Sequence, residues 1–300
     1  MRTRLTQKLG IEHPIISAPM GYAAGGKLAA AVTEAGGLGL IGGGYGDAEW
    51  LKREFAASGS ASIGCGFITW SLAQKPHLLD QVLAYAPAAV MLSFGELAPF
   101  AQRVKAAGAM LICQVQTLAL AREAVAAGAD VIVAQGGEAG GHGLERATFT
   151  LVPEIADYLA DAAPETVLAA AGGVADGRGL AAALMLGADG VLVGSRFWAS
   201  AEALVPPTAR VMKTRFTMDW HGRDATLAEP ATRQREGARY WKAFEKGDVD
   251  NTGVFAGEAV GLIRDVAPAG EILRRMVRET ENLFGRAADV LSGSPNDRGM

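Results

Sequence analysis

The chain is poor in the residues that build disulfide frameworks and metal centres. It has two cysteines and four histidines among 300 residues, and no group of His, Cys, Asp and Glu has the spacing of a metal site. Cys65 and Cys113 each lie inside an apolar run, so we predict two buried free thiols in a reducing compartment. We therefore expect neither a disulfide-stabilised fold nor a bound metal.

Long apolar runs and an excess of one charge are also missing. No stretch of about 18 apolar residues is free of both charges and clustered glycines, which argues against a membrane-spanning helix. The basic N-terminus leads into a segment interrupted by Pro14 and Pro19, without a cleavage-site pattern. The formal charge of −4 is too small to suggest a nucleic-acid or membrane-surface protein. We expect a cytoplasmic protein that acts on a small molecule. The sequence is compatible with a homodimer.

Short apolar runs alternate with Ala-rich amphipathic segments along the first two thirds of the chain. Eight runs are predicted as strands: 14–18, 39–41, 62–68, 88–94, 110–115, 130–135, 167–171 and 190–194. The segments between them are predicted as helices: 27–35, 47–57, 76–86, 98–107, 118–127, 151–163 and 177–186. Eight successive strand–helix units predict an α/β fold of the (β/α)8 TIM-barrel type. A doubly wound open sheet is the alternative.

One turn pattern recurs between helix and strand. It reads Ala35-Gly-Gly-Leu, Ala107-Gly-Ala-Met, Ala127-Gly-Ala-Asp and Leu186-Gly-Ala-Asp. Glycine at this place can adopt the left-handed conformation that closes a helix before the chain enters the sheet. A repeated turn indicates one supersecondary unit used several times.

The pattern changes after Ser195. Residues 205–250 mix Arg, Lys, Asp and Glu with several aromatic residues, which is typical of solvated helices with surface ion pairs or of a helical cap over the barrel mouth. We predict a barrel formed by 1–204 and 252–290 with 205–251 as a helical insertion that caps the mouth. Further helices are predicted at 258–265 and 271–284, and a frayed tail after Leu291.

Glycine-rich turns follow the last three predicted strands. Gly172 and Gly173 follow strand seven, and Gly194 and Ser195 follow strand eight. In barrels the loops at these two places commonly hold a phosphate on backbone N–H groups, and the Ser195 hydroxyl adds a polar group. Tight strand-to-helix turns that simply need glycine are the alternative explanation.

The turn after strand six carries the best catalytic candidate. Residues 135–143 read Gln-Gly-Gly-Glu-Ala-Gly-Gly-His-Gly, so glycines such as Gly140 would let this loop pass close to a ligand. Histidine is the side chain most often used as a general acid or base, and His142 stands at the predicted mouth of the sheet. The other histidines lie at the predicted barrel bottom, at a helix start and in the charged insertion.

Other strand ends offer residues for a pocket. Pro19, Met20 and Gly21 follow strand one, where a flat apolar ring could lie. Gln114 could bond an amide or carbonyl of a ligand, and Phe94 could line a pocket or pack in the core. The run 42–46 is a weak dinucleotide signal that is better explained as a flexible loop.

Taken together, these motifs resemble the nitronate monooxygenase family, formerly called 2-nitropropane dioxygenases, over almost the whole chain. The resemblance is carried by residues 14–20, 134–143, 171–179 and 194–197, and by a closing segment at 253–263. The Glu-Ala-Gly-Gly-His run is a specific signal for the family when it occurs together with these other segments.

The resemblance implies an FMN-dependent barrel enzyme that oxidises alkyl nitronates with O2 to a carbonyl compound and nitrite. It implies that His142 faces the substrate, as a base towards neutral nitroalkanes and as an anion-stabilising group towards nitronates. The implied cofactor residues are Pro19, Met20 and Gly21 at the isoalloxazine, Gln114, Gln135 and Gly140 near it, and Gly172, Gly173, Gly194 and Ser195 at the phosphate. Phe67 and Phe94 are expected in the substrate pocket.

The chain departs from the family pattern at two amides. Gly66 stands where the family usually has Asn, and Glu258 stands where the family usually has Gln. These two departures leave the identity of the substrate undecided. The nearest alternative is an FMN-dependent, NAD(P)H-using reductase of enoyl-[acyl-carrier-protein] or quinone. A non-redox barrel enzyme acting on a sugar phosphate is a third possibility, and a scaffold protein would not explain His142.

Overall fold

The eight apolar runs form eight parallel strands of one sheet. The computed structural model describes residues 1–204, 215–220, 223–246, 248–251 and 256–292. The strands are β1 (Ile15–Ser17), β2 (Leu40–Gly44), β3 (Gly64–Ile68), β4 (Ala89–Ser93), β5 (Met110–Val115), β6 (Val131–Gln135), β7 (Val167–Ala171) and β8 (Gly190–Val193). Neighbours in sequence pair in parallel, and β1 pairs with β8. A bridge from Ile16 to Leu38 joins β1 to the chain entering β2, so the sheet closes as the predicted (β/α)8 barrel.

The predicted helices follow the strands. The helices of the barrel are α1 (Arg4–Leu9), α2 (Gly26–Glu34), α3 (Ala48–Ala57), α4 (Thr69–Leu72), α5 (His77–Leu83), α6 (Ala98–Ala106), α7 (Leu118–Ala126), α8 (Thr148–Ala162), α9 (Gly177–Met185) and α10 (Ser195–Trp198). The later helices are α11 (Arg215–Trp220), α12 (Asp224–Ala228), α13 (Pro230–Glu245) and α14 (Ala269–Ser292), with 3-10 turns at Val249–Asn251 and Glu258–Leu262.

Alternating side chains of the strands divide the core into two layers. Ile15 and Val191 pack outward against the helices, whereas Ile16 and Leu192 point inward and fill the barrel with Met91 and other apolar side chains. Because successive residues of a strand face opposite sides, a strand buried on both faces reads as a continuous apolar run. The filled interior leaves the loops at the carboxyl ends of the strands as the place for a site.

The repeated glycine turn has the backbone conformation that the sequence predicts. Gly36, Gly108, Gly128 and Gly187 have φ values of 92°, 78°, 80° and 96°, each between a helix and the next strand. This left-handed region suits glycine because a Cβ would be strained there. The turns at the amino ends of the strands therefore repeat one geometry.

Two local predictions need correction, and one helix was not predicted. The run 42–46, interpreted as a flexible loop, contributes Gly42 to Gly44 to β2. Residues 258–265 form a 3-10 turn only over Glu258–Leu262, and the chain is not helical beyond it. Helix α1 was not predicted, because its short amphipathic pattern precedes the first strand; a side-chain cap at Thr3 and a left-handed Gly10 define its ends.

The insertion is helical where the structure describes it. Helices α11 to α13 lie in it, while 205–214, 221–222, 247 and 252–255 fall outside the described residues. Of the tail predicted to be frayed after Leu291, Ser292 belongs to helix α14, and the rest lies outside the described residues. The boundaries 205–251 for this insertion stay a prediction. Helix α14 returns to the barrel and packs mainly on α9 and α2. No helix of the described chain is long and apolar enough to cross a membrane.

Both cysteines are free and buried, as predicted. Burial raises the pKa of the Cys113 thiol to about 12 and that of Cys65 further. A thiol needs to ionise before it attacks or ligates, so both act as small apolar side chains of the core.

Candidate active site

A cavity of about 540 Å³ opens at the carboxyl ends of the strands. All the site residues that the sequence predicts line it: Pro19, Met20, Gly21, Phe67, Phe94, Gln114, Gln135, Gly140, His142, Gly172, Gly173, Gly194 and Ser195. They come from seven different strand ends, which is how a barrel assembles a site from residues far apart in sequence. Their individual roles stay predictions.

Gln135 ends β6 and holds the loop that follows. Its side chain is 4% exposed, and its Nε2 donates to the carbonyl oxygen of His142 across 2.7 Å. Its Oε1 accepts from Gln114 Nε2 and lies 3.4 Å from Gln116 Nε2. The amide is thus hydrogen-bonded on both sides, which fixes its orientation and with it the backbone at His142.

Glu138 uses its carboxylate to begin helix α8. Its Oε1 and Oε2 lie 3.0 and 2.9 Å from the backbone N of Thr148, and Oε2 accepts from Thr148 Oγ1 across 2.8 Å. The N-cap residue Ala147 offers no side-chain cap, so Glu138 supplies one from the loop. The carboxylate of Glu138 is consequently hydrogen-bonded to the start of helix α8, although Glu138 lines the same cavity as His142.

The segment after the insertion closes on two of the loops. The backbone N–H of Gly257 donates to Ser195 Oγ across 2.8 Å, and that of Glu258 donates to the carbonyl oxygen of Glu138 across 2.8 Å. The approach is close, because a Cβ on Gly140 would lie 2.7 Å from the Gly257 nitrogen. Glu258 meets the site through its backbone, and its side chain is exposed.

His142 lies among aromatic rings at the rim of the cavity. Its ring centroid is 5.4 Å from that of Phe94 and 6.5 Å from that of Tyr45, and its side chain is exposed to the cavity mouth. Phe94 adopts a left-handed backbone with φ 62°, which a bulky residue rarely tolerates. Such strain is characteristic of functional sites, and here it turns the Phe94 ring towards His142.

The turn after β7 is shaped for close approach of a ligand to the backbone. Gly172 and Gly173 have φ values of 102° and 78°, and a Cβ on Gly172 would lie 2.8 Å from Thr148 Oγ1. Only glycine suits both positions. Consecutive left-handed glycines at this strand end leave the peptide groups of the turn free of side-chain cover.

Pro19 occupies the space beside Gly66. A Cβ on Gly66 would come within 2.5 Å of Pro19 Cβ and nearer still to its Cγ. The position where the family usually carries Asn therefore has no room for a side chain in this chain. The proline ring forms the wall of the cavity there instead.

Several lining residues were missed by the sequence analysis. They are Tyr22, Tyr45, Ser93, Trp198, Tyr240 and Trp241, together with Glu138 and Gly257. Tyr22 and Tyr45 follow β1 and β2, so their place after a strand was an available signal. Tyr240 and Trp241 come from α13 and line the cavity, and no periodic pattern of the insertion marks them. The role of the insertion as a cap stays a prediction.

The cavity is mostly apolar with few polar groups. Among the lining residues of the described chain none is Lys or Arg, and no group of three His, Cys, Asp or Glu side chains in those residues could hold a metal. Burial, followed by the charges of Asp47 and Tyr45, raises the pKa of the Tyr22 phenol, which stays a hydrogen-bond donor. An anionic ligand group would therefore have neither Lys nor Arg as a partner among the described lining residues.

The model of the nitronate monooxygenase family matches residues 2–62 and 68–219. The chain belongs to the nitronate monooxygenase family. A nitronate monooxygenase of Neurospora crassa is 34% identical over 335 aligned positions, covering 89% of each chain. An indene-carboxyl-CoA dehydrogenase of Mycobacterium tuberculosis is 38% identical over 70% of this chain and 59% of its own length. The structure of FabK from Thermotoga maritima superimposes with a TM-score of 0.85 at 28% identity, covering 97% of this chain and 99% of that one.

Membership in the nitronate monooxygenase family identifies the chain as a flavin-dependent oxidoreductase. The family match spans every strand end that contributes to the cavity except part of β3. The cavity at these strand ends is therefore the candidate active site of the chain.

Proposed function

We propose that the protein binds FMN in this cavity and oxidises alkyl nitronates with O2 to a carbonyl compound and nitrite. The observation that carries the proposal is the position of His142 in the same cavity as the glycine turns after β7 and β8. One part of the cavity can then hold a phosphate and another can hold a small anionic substrate.

The residues present suit FMN. A cavity of about 540 Å³ has the size of cofactor sites, and its apolar walls with a few polar groups match their chemistry. Gly172 and Gly173 line the cavity in the left-handed conformation and carry no side chain over the peptide groups of the turn, so a phosphate could approach their backbone. Trp198 lines the cavity, and its buried Nε1 has no partner among the described residues, so it is a donor suited to a ligand oxygen.

In this proposal Gly172, Gly173, Gly194 and Ser195 hold the phosphate through backbone N–H groups and the Ser195 hydroxyl. Backbone dipoles suit this task because the described lining provides no cationic side chain. Pro19, Met20 and Gly21 lie against the isoalloxazine, and Gln114, Gln135 and Gly140 lie at its edge. The flavin supplies the redox chemistry with O2 when it is bound.

His142 acts on the substrate. Towards a neutral nitroalkane, a ring nitrogen of His142 accepts the proton on the carbon that bears the nitro group. Towards a nitronate no proton needs to be removed, so the imidazole orients and stabilises the anion. Phe67 and Phe94 provide apolar walls for the alkyl part.

A second function is favoured by two of the similarities. FabK has nearly the whole fold in common with this chain, and the Mycobacterium tuberculosis relative is a dehydrogenase of an acyl-CoA. An FMN-dependent enzyme acting on a thioester, with NAD(P)H as the reductant in the case of a reductase, would use the same cavity.

One pair of assays separates the two. Purified protein is loaded with FMN and given an alkyl nitronate in air, and nitrite and O2 consumption are measured; anaerobic protein is separately mixed with NADH or NADPH, and flavin absorbance is followed. We expect nitrite production and no rapid bleaching by either nucleotide. Rapid bleaching without nitrite would overturn the monooxygenase proposal in favour of the reductase, and a protein that takes up no FMN would overturn both.

A further inference from the structure

Thr148 lies where the start of helix α8, the loop after β6 and the turn after β7 meet. It is the first residue of α8, and its Oγ1 lies 2.8 Å from Glu138 Oε2 in the loop after β6. The same Oγ1 lies 3.3 Å from the carbonyl oxygen of Ala171 and 3.2 Å from that of Gly172 in the turn after β7. Because a hydroxyl carries one proton, the nearer and charged carboxylate is its preferred acceptor, and the carbonyls are within reach as alternatives.

The loop and the turn also touch directly around Thr148. The backbone N–H of Gly136 donates to the Ala171 carbonyl across 2.9 Å. A Cβ on Gly172 would meet Thr148 Oγ1 at 2.8 Å and the nitrogen of Ala139 at 3.1 Å. The surfaces are therefore packed without a gap, so neither can shift far while Thr148 stays in place.

Glu138 connects the same cluster to the C-terminal segment. Its carboxylate binds Thr148, while its carbonyl accepts from the Glu258 N–H, whose neighbour Gly257 is bound to Ser195 Oγ. Carboxylate hydrogen bonds to a helix start are stronger than neutral ones. Glu138 is thus the common partner of helix α8 and the closing segment.

We infer that Glu138 and Thr148 form a clamp that makes the His142 loop and the Gly172–Gly173 turn open and close as one unit. Both are positioning residues: Glu138 lies four residues from His142 and lines the cavity, yet its oxygens serve helix α8 rather than the substrate. A ligand held on the turn then stiffens the His142 loop as well, because the two segments are coupled. The inference rests on the proposed function only in naming that ligand as FMN.

Hydrogen exchange of the full-length protein tests the clamp. Exchange is measured in peptides covering 136–146 and 171–176, with and without FMN, for the wild type, Thr148→Val and Thr148→Ser. Thr150→Val is the matched control, since Thr150 lies on the same helix, is exposed, and its hydroxyl donates to the local Ala147 carbonyl. Glu138→Gln is the second variant, which keeps the shape and removes the charge.

We expect Thr148→Val to speed exchange about tenfold in both segments together, as the loss of a hydrogen bond to a charged partner predicts. Thr148→Ser should restore the wild-type rates, and Thr150→Val should not change them. FMN should slow exchange of both segments in the wild type but only that of 171–176 in Thr148→Val. Faster exchange confined to the first turn of α8, or unchanged exchange, would overturn the clamp.

The design keeps this inference separate from the proposed function. If the wild type takes up no FMN, the proposed function fails, while the exchange rates without FMN still decide whether the two segments move together. If Thr148→Val does not fold, Glu138→Gln decides by the same readout, with faster exchange in both segments expected. Rates equal to those of the wild type in Glu138→Gln would then overturn the clamp.

Discussion

The side-chain amide of Gln135 holds the backbone of His142, with Nε2 donating to the carbonyl oxygen across 2.7 Å. Gln135 is itself fixed by Gln114 and by Gln116, which does not line the cavity. The position of the imidazole therefore depends on side chains at the ends of β5 and β6 that need not touch the substrate. A catalytic side chain misplaced by a fraction of an ångström loses much of its effect.

Replacing Gln135 by Met should lower kcat by roughly five- to tenfold, the effect of one buried hydrogen bond. Met keeps the volume but cannot donate to His142. The matched control is Gln81→Met, because Gln81 Nε2 donates to the Ala48 carbonyl across 2.9 Å and does not line the cavity. Steady-state kinetics of both variants check this, and equal loss in the two would show a general effect on stability instead.

Replacing His142 by Ala should affect the turnover of two substrates to different extents. Turnover of a neutral nitroalkane should fall by about 10²–10⁴-fold, the usual contribution of a general base, while turnover of the matching nitronate should fall much less. Bound flavin should be retained, which visible absorbance measures. His77→Ala is the control, since His77 begins α5 and does not line the cavity. The same loss for both substrates would contradict the role of base.

The number and order of the strands were predictable because they follow from local patterns. Buried parallel strands appear as apolar runs, and the glycine turn before β5, β6 and β8 needs a left-handed residue that only glycine supplies cheaply. The site residues were predictable for a related reason: a barrel brings the residue after each strand to the same end. Gly172, Gly194 and His142 meet in one cavity for that reason alone.

Contacts between loops were not predictable, because no local pattern records them. The bond from Glu138 to Thr148 joins two residues ten positions apart across a turn, and the packing of Pro19 on Gly66 joins β1 to β3. Tyr240 and Trp241 lie in a segment whose composition is equally typical of solvated helices. Only the folded chain decides which face of such a helix covers the barrel.

The ion pair of Asp265 with Arg196 should make the protein acid-sensitive. Arg196 is almost fully buried and donates to Asp265 Oδ1 across 2.7 Å, and Arg275 binds the same carboxylate. Hydrogen bonds from Arg275, followed by the charge of Arg196, hold the pKa of Asp265 below its ordinary value although partial burial opposes this. Replacing Asp265 by Asn should cost on the order of 1–2 kcal/mol of unfolding free energy, between the values for exposed and buried pairs.

The pH dependence of this pair has a definite sign. A carboxyl with a lowered pKa in the folded state stabilises the protein fully above its unfolded pKa of about 4, and that stabilisation is lost as pH falls through the folded value. The difference in thermal midpoint between the wild type and Asp265→Asn should be constant from pH 5 to 7 and shrink below about 4. Asp80→Asn is the control, because the pair of Asp80 with Arg103 is largely exposed and should contribute less. A difference that grows on acidification would contradict the assignment.

Replacing Gly66 by Ala should damage both stability and flavin binding. A Cβ there would lie within 2.5 Å of Pro19 Cβ. Because the proline ring is closed onto its own backbone and a change of pucker scarcely moves its Cβ, Pro19 must move out of the cavity wall. Overpacking of this kind costs about 1–3 kcal/mol of unfolding free energy. Displacement of Pro19 should also weaken FMN binding, which is measured by quenching of flavin fluorescence.

Gly285→Ala is the control for this variant. Gly285 lies in α14 with open space around its Cβ position, so Ala should stabilise that helix by about 0.5–1 kcal/mol. Unchanged flavin affinity in Gly66→Ala would show that Pro19 does not pack against the isoalloxazine ring. The apolar contacts to that ring would then have to come from Met20 and Phe67.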